Sequence, residues 1–137
     1  MRCATLVVPL GGFYSPFPAS FAYPPHAGTD WAQIAALYDI LLSRWATPVV
    51  ELNAAVAVAM AAGPAAGLAR VDAIAGREEL EGYHLFHATR ADLLRRLGRA
   101  REAVDAYVRA LEIATNDAER RWLRARIDLV RSEIGAS

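Results

Sequence analysis

The chain has 137 residues, with 15 basic and 15 acidic side chains and therefore no net formal charge at pH 7. This length suits one domain and is too short for two ordinary ones. An apolar fraction of 55%, much of it alanine, excludes a disordered chain and favours packed helices.

The cysteine content and the lengths of the apolar runs exclude further classes of protein. Cys3 is the only cysteine, so neither an intrachain disulfide nor a metal site built on thiolates is possible. No apolar run reaches the roughly 18 residues that a membrane-spanning helix needs. We therefore expect a cytoplasmic protein with no membrane partner.

Residues 1–28 differ from the rest of the chain because they are rich in proline and aromatic residues. Arg2 and the apolar run after it are similar to the start of a secretory signal, but Pro9 and Gly11-Gly12 interrupt that run too early. We expect an irregular N-terminal segment at 1–28, followed by a helical domain at 29–137.

The first helix is predicted to begin at Thr29-Asp30-Trp31, where Asp30 can cap the helix and Gln33 completes a capping-box pattern. Apolar residues then recur at helical spacing and form one stripe, made of Trp31, Ile34, Ala35, Tyr38, Leu41, Leu42 and Trp45. A core stripe is favoured over an aromatic cofactor site. Thr47-Pro48 ends this helix and starts the next one.

The second helix, Pro48 to Ala62, is so rich in alanine that it can be contacted on nearly all sides. Asn53 is conspicuous in it, because an amide there must find a hydrogen-bond partner or face a groove. Gly63 separates this helix from a third, Pro64 to about Ile74. An acidic connector at residues 77–82 follows.

Residues 83–111 predict two amphipathic helices joined by a turn at Gly98. Their spacing is that of a tetratricopeptide repeat, carried by Gly98, Ala103, Tyr107, Ala110 and Leu111. Small residues let two helices approach closely, and Tyr107 fills the gap between them. Gly63 precedes Gly98 by about one repeat period, which indicates a degenerate second copy around the second and third helices.

The last helix starts at a second capping box, formed by Asn116 and Glu119, and Gly135 is expected to end it. Its predicted inner face consists of Trp122, Leu123, Ile127, Val130 and Ile134. The sequence therefore predicts an all-α fold. We expect antiparallel helix pairs stacked as a tetratricopeptide-like right-handed array of about six helices.

The sequence contains few residue patterns that are typical of a catalytic or metal-binding site. Glu81, His84 and His87 are three residues apart and could share one helical face as metal ligands, but no fourth ligand is evident. No glycine-rich phosphate loop follows a strand, and no nucleophile has a base placed beside it. We expect no enzyme activity, no cofactor and no metal.

All fifteen basic residues are arginine, and eleven of them lie from Arg90 onward, together with eight acids. Several pairs have the spacing of helical salt bridges, such as Asp92 with Arg95 and Arg96, and Asp105 with Arg109. A solvated, salt-bridged face is the favoured interpretation. Specific DNA binding by this chain alone is not expected, since it would need a more one-sided basic patch.

Several stretches together resemble a known family. They are Thr29 to Asp39, Pro48 to Ala59, Gly63 to Gly67, Gly82 to Leu85 and Arg90 to Arg99. In order and spacing they are similar to the C-terminal extension of a bacterial group of extracytoplasmic-function RNA polymerase sigma factors. In that group a tetratricopeptide-like domain follows two DNA- and polymerase-binding regions. The resemblance covers Thr29 to the C terminus, with Ala54 where family members commonly have Arg.

The resemblance implies a regulatory, protein-interacting domain that tunes transcription initiation. Nothing before Thr29 resembles the polymerase-binding or promoter-reading regions, so the chain looks like a truncated sigma factor. Its expected partner is RNA polymerase, the sigma core regions or a regulator. The alternative is a freestanding repeat adaptor that binds a peptide or partner protein. In either case we expect an exposed surface around Asn53, His87 and Arg90 to contact the partner.

Overall fold

The computed structural model describes residues 30–136, so the predicted irregular segment at 1–28 lies outside the described residues. Within 30–136 the chain is all-α, with seven helices and no strand, and no helix there is both long and apolar enough to cross a bilayer. The helices are α1 (Trp31–Leu42), α2 (Pro48–Ala62), α3 (Pro64–Ile74), α4 (Glu78–Glu81), α5 (His84–Arg96), α6 (Ala100–Ile113) and α7 (Asp117–Ala136).

The chain divides into two compact units, one reaching to Arg70 and the other starting at Val71. The first unit contains α1, α2 and the beginning of α3. The second contains the end of α3 and helices α4 to α7. The single predicted domain at 29–137 stays a prediction.

The predicted helix starts are confirmed by the side chains that cap them. Asp30 Oδ1 accepts a hydrogen bond from the Gln33 backbone N–H at 3.0 Å. Thr47 Oγ1 accepts one from the Val50 N–H at 3.2 Å, and proline follows at the first helical position. Asn116 Oδ1 accepts from the N–H groups of the second and third residues of α7, at 2.8 and 3.1 Å. Each cap supplies an acceptor to donors that have no partner within the helix.

In the first unit α1 packs against α2, and α2 meets the start of α3 through small residues. Gly63 connects α2 to α3 with a φ of +103°, a conformation that strongly favours glycine. A Cβ placed on Gly67 would overlap the Cβ of Ala59 and lie 3.1 Å from the Ala55 carbonyl oxygen. The two helices can therefore approach this closely only because position 67 has no side chain.

In the second unit α6 packs against both α5 and α7. The turn between α5 and α6 contains Gly98 at a φ of +79°, as the predicted turn requires. Ala103, Tyr107 and Ala110 are completely buried along α6. Arg120 Nη1 donates to the carbonyl oxygens of Leu111 and Ala114, at 2.7 and 3.0 Å, and so satisfies acceptors at the end of α6.

Three predicted details were wrong. Trp45 lies beyond the end of α1 and is exposed, whereas the other residues of the predicted stripe are half-buried. The acidic connector contains the short helix α4, which accounts for seven helices instead of about six. Gly135 does not end α7, which continues to Ala136, because Gly135 lacks the positive φ of a C-terminal cap and stays helical.

Candidate functional site

Asn53, the first of the predicted partner-binding residues, lies on α2 in the first unit. It is only 2% exposed, so the prediction that it belongs to an exposed surface was wrong. Its Oδ1 atom is buried with no hydrogen-bond partner within residues 30–136. Its neighbours Leu52, Ala54 and Ala55 are completely buried as well, so this stretch of α2 belongs to the core.

His87 lies on α5 in the second unit and is also buried, at 8% exposure. Its Nε2 lies 3.1 Å from the carbonyl oxygen of Glu81. Because a carbonyl oxygen only accepts hydrogen bonds, Nε2 must be a ring nitrogen that carries a hydrogen and donates it. The ring also contacts Phe86 edge to face, with centroids 5.0 Å apart. His87 therefore fixes α5 to the end of α4, and the prediction that it is exposed was wrong.

Arg90 is the predicted site residue that does reach the surface. Its side chain is half-buried, and Nε donates to Asp72 Oδ1 at 2.8 Å. This ion pair joins α5 to the part of α3 within the second unit. The structure thus brings His87 and Arg90 together on one helix, while Asn53 lies in the other unit.

The histidines of the metal hypothesis have other contacts. His84 Nε2 lies 3.1 Å from Glu119 Oε1, which connects α5 to the first turn of α7. Glu119 also raises the pKa of neighbouring Tyr83, after the larger effect of burial. Within residues 30–136, no three His, Cys, Asp or Glu side chains are grouped so that they could hold a metal ion.

The main charged cluster of the second unit centres on Asp92, which is buried on α5. Arg95 Nη2 donates to its Oδ1 at 3.0 Å, and Arg96 Nε donates to its Oδ2 at 2.9 Å. Arg126 of α7 brings its Nη2 to 3.7 Å from Oδ1. We call these four residues the Asp92 cluster. It links α5 to α7 through one carboxylate and three guanidinium groups.

Two aromatic residues adjoin the Asp92 cluster. Tyr107 and Trp122 meet edge to face with ring centroids 6.2 Å apart, and the Arg126 guanidinium lies 5.5 Å from the Trp122 ring centroid. Burial raises the pKa of Tyr107, and the charge of Asp92 raises it further, although Arg126 opposes them. Burial alone would lower the pKa of Arg95, but Asp92 and Tyr107 together raise it above its ordinary value. Arg95 therefore stays charged, and the neighbouring Tyr107 stays protonated at neutral pH.

The sequence predicted the pairing of Asp92 with Arg95 and Arg96 correctly but placed it on a solvated face. The available signal was the pattern of apolar and small residues around Asp92 on α5, which marks it as part of the inner face. The predicted pair of Asp105 with Arg109 does not form, because Arg109 Nη1 donates to Glu112 at 3.3 Å instead. An arrangement of this kind holds helices together, and it places no nucleophile beside a base.

Comparisons with known proteins add one relative. No protein-family model matches the chain, and no solved structure matches it. An uncharacterized protein of Rhizobium meliloti (strain 1021) is 44% identical to it over 105 residues, which are 77% of this chain and 24% of that protein. The chain thus spans about a quarter of the length of this relative.

Proposed function

We propose that this chain is the helical protein-interaction domain of a sigma-factor-like protein and acts in the regulation of transcription initiation. The observation that carries the proposal is the ordered resemblance from Thr29 to the C terminus. The Rhizobium relative supports it in one respect: a similar stretch occurs there as about a quarter of a longer protein. The promoter- and polymerase-binding regions would belong to such a longer protein, in the cytoplasm.

The proposal includes a tetratricopeptide-like right-handed stacking of the helix pairs. Its support is local. Gly98 has the positive φ that a tight turn between paired helices needs, and Ala103 and Tyr107 are buried where α6 packs on α5. The close contact between α2 and α3 through Gly67, Ala59 and Ala55 supports a degenerate second copy of the repeat, because paired repeat helices also approach through small residues.

The domain acts in this proposal by binding protein, without catalysis or sequence-specific DNA contact. Many of its arginines are matched by acids within the second unit, such as Arg99 with Glu102 at 2.7 Å and Arg90 with Asp72. Part of the positive charge of this unit is therefore already neutralised and is less available to phosphate groups. The isolated chain should bind duplex DNA only weakly, and this binding should weaken steeply as salt rises.

A freestanding adaptor is the second candidate, and the repeat-like packing around Gly98 favours it as much as it favours the first. Repeat modules bind partner helices or peptides without belonging to a polymerase subunit. The two functions differ in what the longer protein does: only a sigma-like protein should bind core RNA polymerase.

The test uses the full-length Rhizobium relative, with and without the stretch that matches this chain. We expect the intact protein to bind core RNA polymerase and start transcription in a purified system. Deletion of the stretch should change the amount of transcript while leaving some polymerase binding. If the intact protein does not bind core polymerase, the sigma-factor proposal is wrong. The adaptor function then becomes the better explanation.

A further inference from the structure

The Asp92 cluster contains more positive charge than its single carboxylate neutralises. The guanidinium groups of Arg95, Arg96 and Arg126 all lie within 3.7 Å of an Asp92 oxygen. Arginine stays protonated in proteins, so the cluster has a formal charge of +2, which is three positive groups less one negative group. Tyr107 interacts with Arg95 and Arg126, but it is neutral at pH 7 and leaves this surplus unchanged.

The cluster also lacks hydrogen-bond acceptors for its donors. Arg95 and Arg96 donate to the Asp92 carboxylate, whereas Arg126 Nη2, at 3.7 Å, is too far away to donate to it. The buried Nε atoms of Arg95 and Arg126 have no hydrogen-bond partner within residues 30–136. Both the charge and the donor count therefore favour an additional negatively charged acceptor.

The arginines are the part of the cluster that solvent reaches most easily. The Asp92 side chain is only 3% exposed, whereas the three arginine side chains are 19–26% exposed. An anion can therefore approach the guanidinium groups from solvent. The carboxylate that would repel such an anion is the least accessible group of the cluster.

Two of the arginines are close enough for one anion to bridge them. Arg95 Nη2 and Arg126 Nη2 approach the same oxygen, Asp92 Oδ1, at 3.0 and 3.7 Å. Their separation therefore cannot exceed the sum of these two distances. A phosphate group that accepts hydrogen bonds of about 2.7–2.9 Å through two of its oxygens can span such a gap. It would join α5 to α7, two helices that both pack against α6.

We propose that Arg95 and Arg126 of the Asp92 cluster form a binding site for a doubly charged phosphate group, either free phosphate or a phosphate monoester. The charge decides the class of ligand, because a dianion neutralises the surplus of +2 and a single carboxylate neutralises only half of it. Guanidinium groups also match the oxygens of phosphate in geometry.

This site is independent of the proposed function, because phosphate binding requires neither polymerase nor a sigma core. It also leaves the expectation of weak binding to duplex DNA unchanged. Each backbone phosphate of DNA is a diester with one negative charge, and it therefore neutralises the cluster less well than a monoester dianion does.

The test follows the Nε–H resonances of the arginine side chains by nitrogen–proton correlation NMR. Sodium phosphate is titrated into the 137-residue chain while sodium chloride keeps the ionic strength constant. We expect saturable shifts of the Arg95 and Arg126 resonances, and little change for Arg124, which is exposed on α7. Sodium acetate, a monoanion, should bind about tenfold more weakly or worse.

Substitutions separate this site from general attraction between phosphate and arginine. Arg126→Met should weaken phosphate binding about tenfold or more, because it removes one of the two bridged groups. The matched control Arg124→Met should change the affinity less than about twofold, because exposed charges contribute little. Arg126→Lys keeps the positive charge and should bind with an affinity between those of the parent and Arg126→Met. Circular dichroism establishes that each variant is folded.

The same titration identifies the source of the phosphate. If N-acetyl-phosphoserine amide binds as tightly as inorganic phosphate or more tightly, the site accepts a phosphorylated side chain. If only inorganic phosphate binds, the ligand is the free anion. The inference is overturned if the Arg95 and Arg126 resonances do not shift, if acetate binds as tightly as phosphate, or if Arg126→Met and Arg124→Met have equal effects.

Discussion

Replacing Asp92 with asparagine should destabilise the second unit. The substitution keeps the size of the side chain and removes the charge that three guanidinium groups share. Arg95 and Arg96 would lose their carboxylate acceptor, and Arg126 would lose the carboxylate that lies 3.7 Å from its Nη2. The variant therefore leaves three positive groups close together without the negative charge of Asp92 between them.

The expected loss of stability follows from the burial of these groups. Removing one partner from a fully buried ion pair costs about 3–5 kcal/mol. Here the arginine side chains remain 26%, 24% and 19% exposed, so water compensates part of the lost contact. We expect the free energy of unfolding to fall by about 2–3 kcal/mol for Asp92→Asn, which is a large share of a typical domain's stability.

Urea unfolding followed by circular dichroism measures this change. Asp105→Asn is the matched control, because this acid is exposed on α6 and its loss should change stability by less than about 0.5 kcal/mol. Arg126→Met should cost less than Asp92→Asn, since this pair is separated by 3.7 Å. If Asp92→Asn and the control unfold at the same urea concentration, the cluster does not stabilise the fold and the reasoning is refuted.

Three further substitutions test the packing. Gly67→Val should lower the free energy of unfolding by roughly 1–3 kcal/mol, because the new side chain would overlap Ala59. The control Gly135→Ala should be neutral or stabilising, because a Cβ there meets nothing within 4 Å. Equal urea midpoints for the two variants would contradict the close contact. Ala103→Leu should cost roughly 1–3 kcal/mol in the same assay because this position is completely buried, and a parent-like midpoint would contradict the packing of α5 on α6. Tyr107→Phe should lower the free energy of unfolding by about 0.5–1.5 kcal/mol at pH 7, since it removes a buried hydroxyl that interacts with Arg126 and Arg95. Burial raises the pKa of Tyr107 above its ordinary value of 10.0, so the stability that the neutral phenol contributes is present below pH 10 and is lost as the pH rises further. Above pH 10 the parent should therefore lose more stability than the Phe variant. Parallel profiles of stability against pH would contradict this.

Local features of the fold could be predicted from the sequence because they depend on neighbours a few residues away. The caps at Asp30, Thr47 and Asn116 each involve backbone groups two or three positions further on. The turn at Gly98 depends on one residue's backbone freedom. These predictions were confirmed, as was the all-α class.

The predicted partner-binding residues were less successful, because exposure depends on distant parts of the chain. Asn53 and His87 were expected at a surface on account of their polarity, yet both are buried. His87 is satisfied by a backbone carbonyl six residues earlier, a contact that exists only because α4 forms and packs against α5. Whether Arg90 contacts a partner stays a prediction.

The sequence by itself determined the six longer helices, three of their capped starts and the spacing that pairs Asp92 with Arg95 and Arg96. Only the tertiary structure decided that this carboxylate is buried and that Arg126, more than thirty residues away, joins it. It also left Trp45 exposed, although the apolar pattern had included this residue in the core stripe of the first helix. The physical reason is that hydrogen-bond spacing along a helix is a local property. Burial is decided by which other helices cover each face.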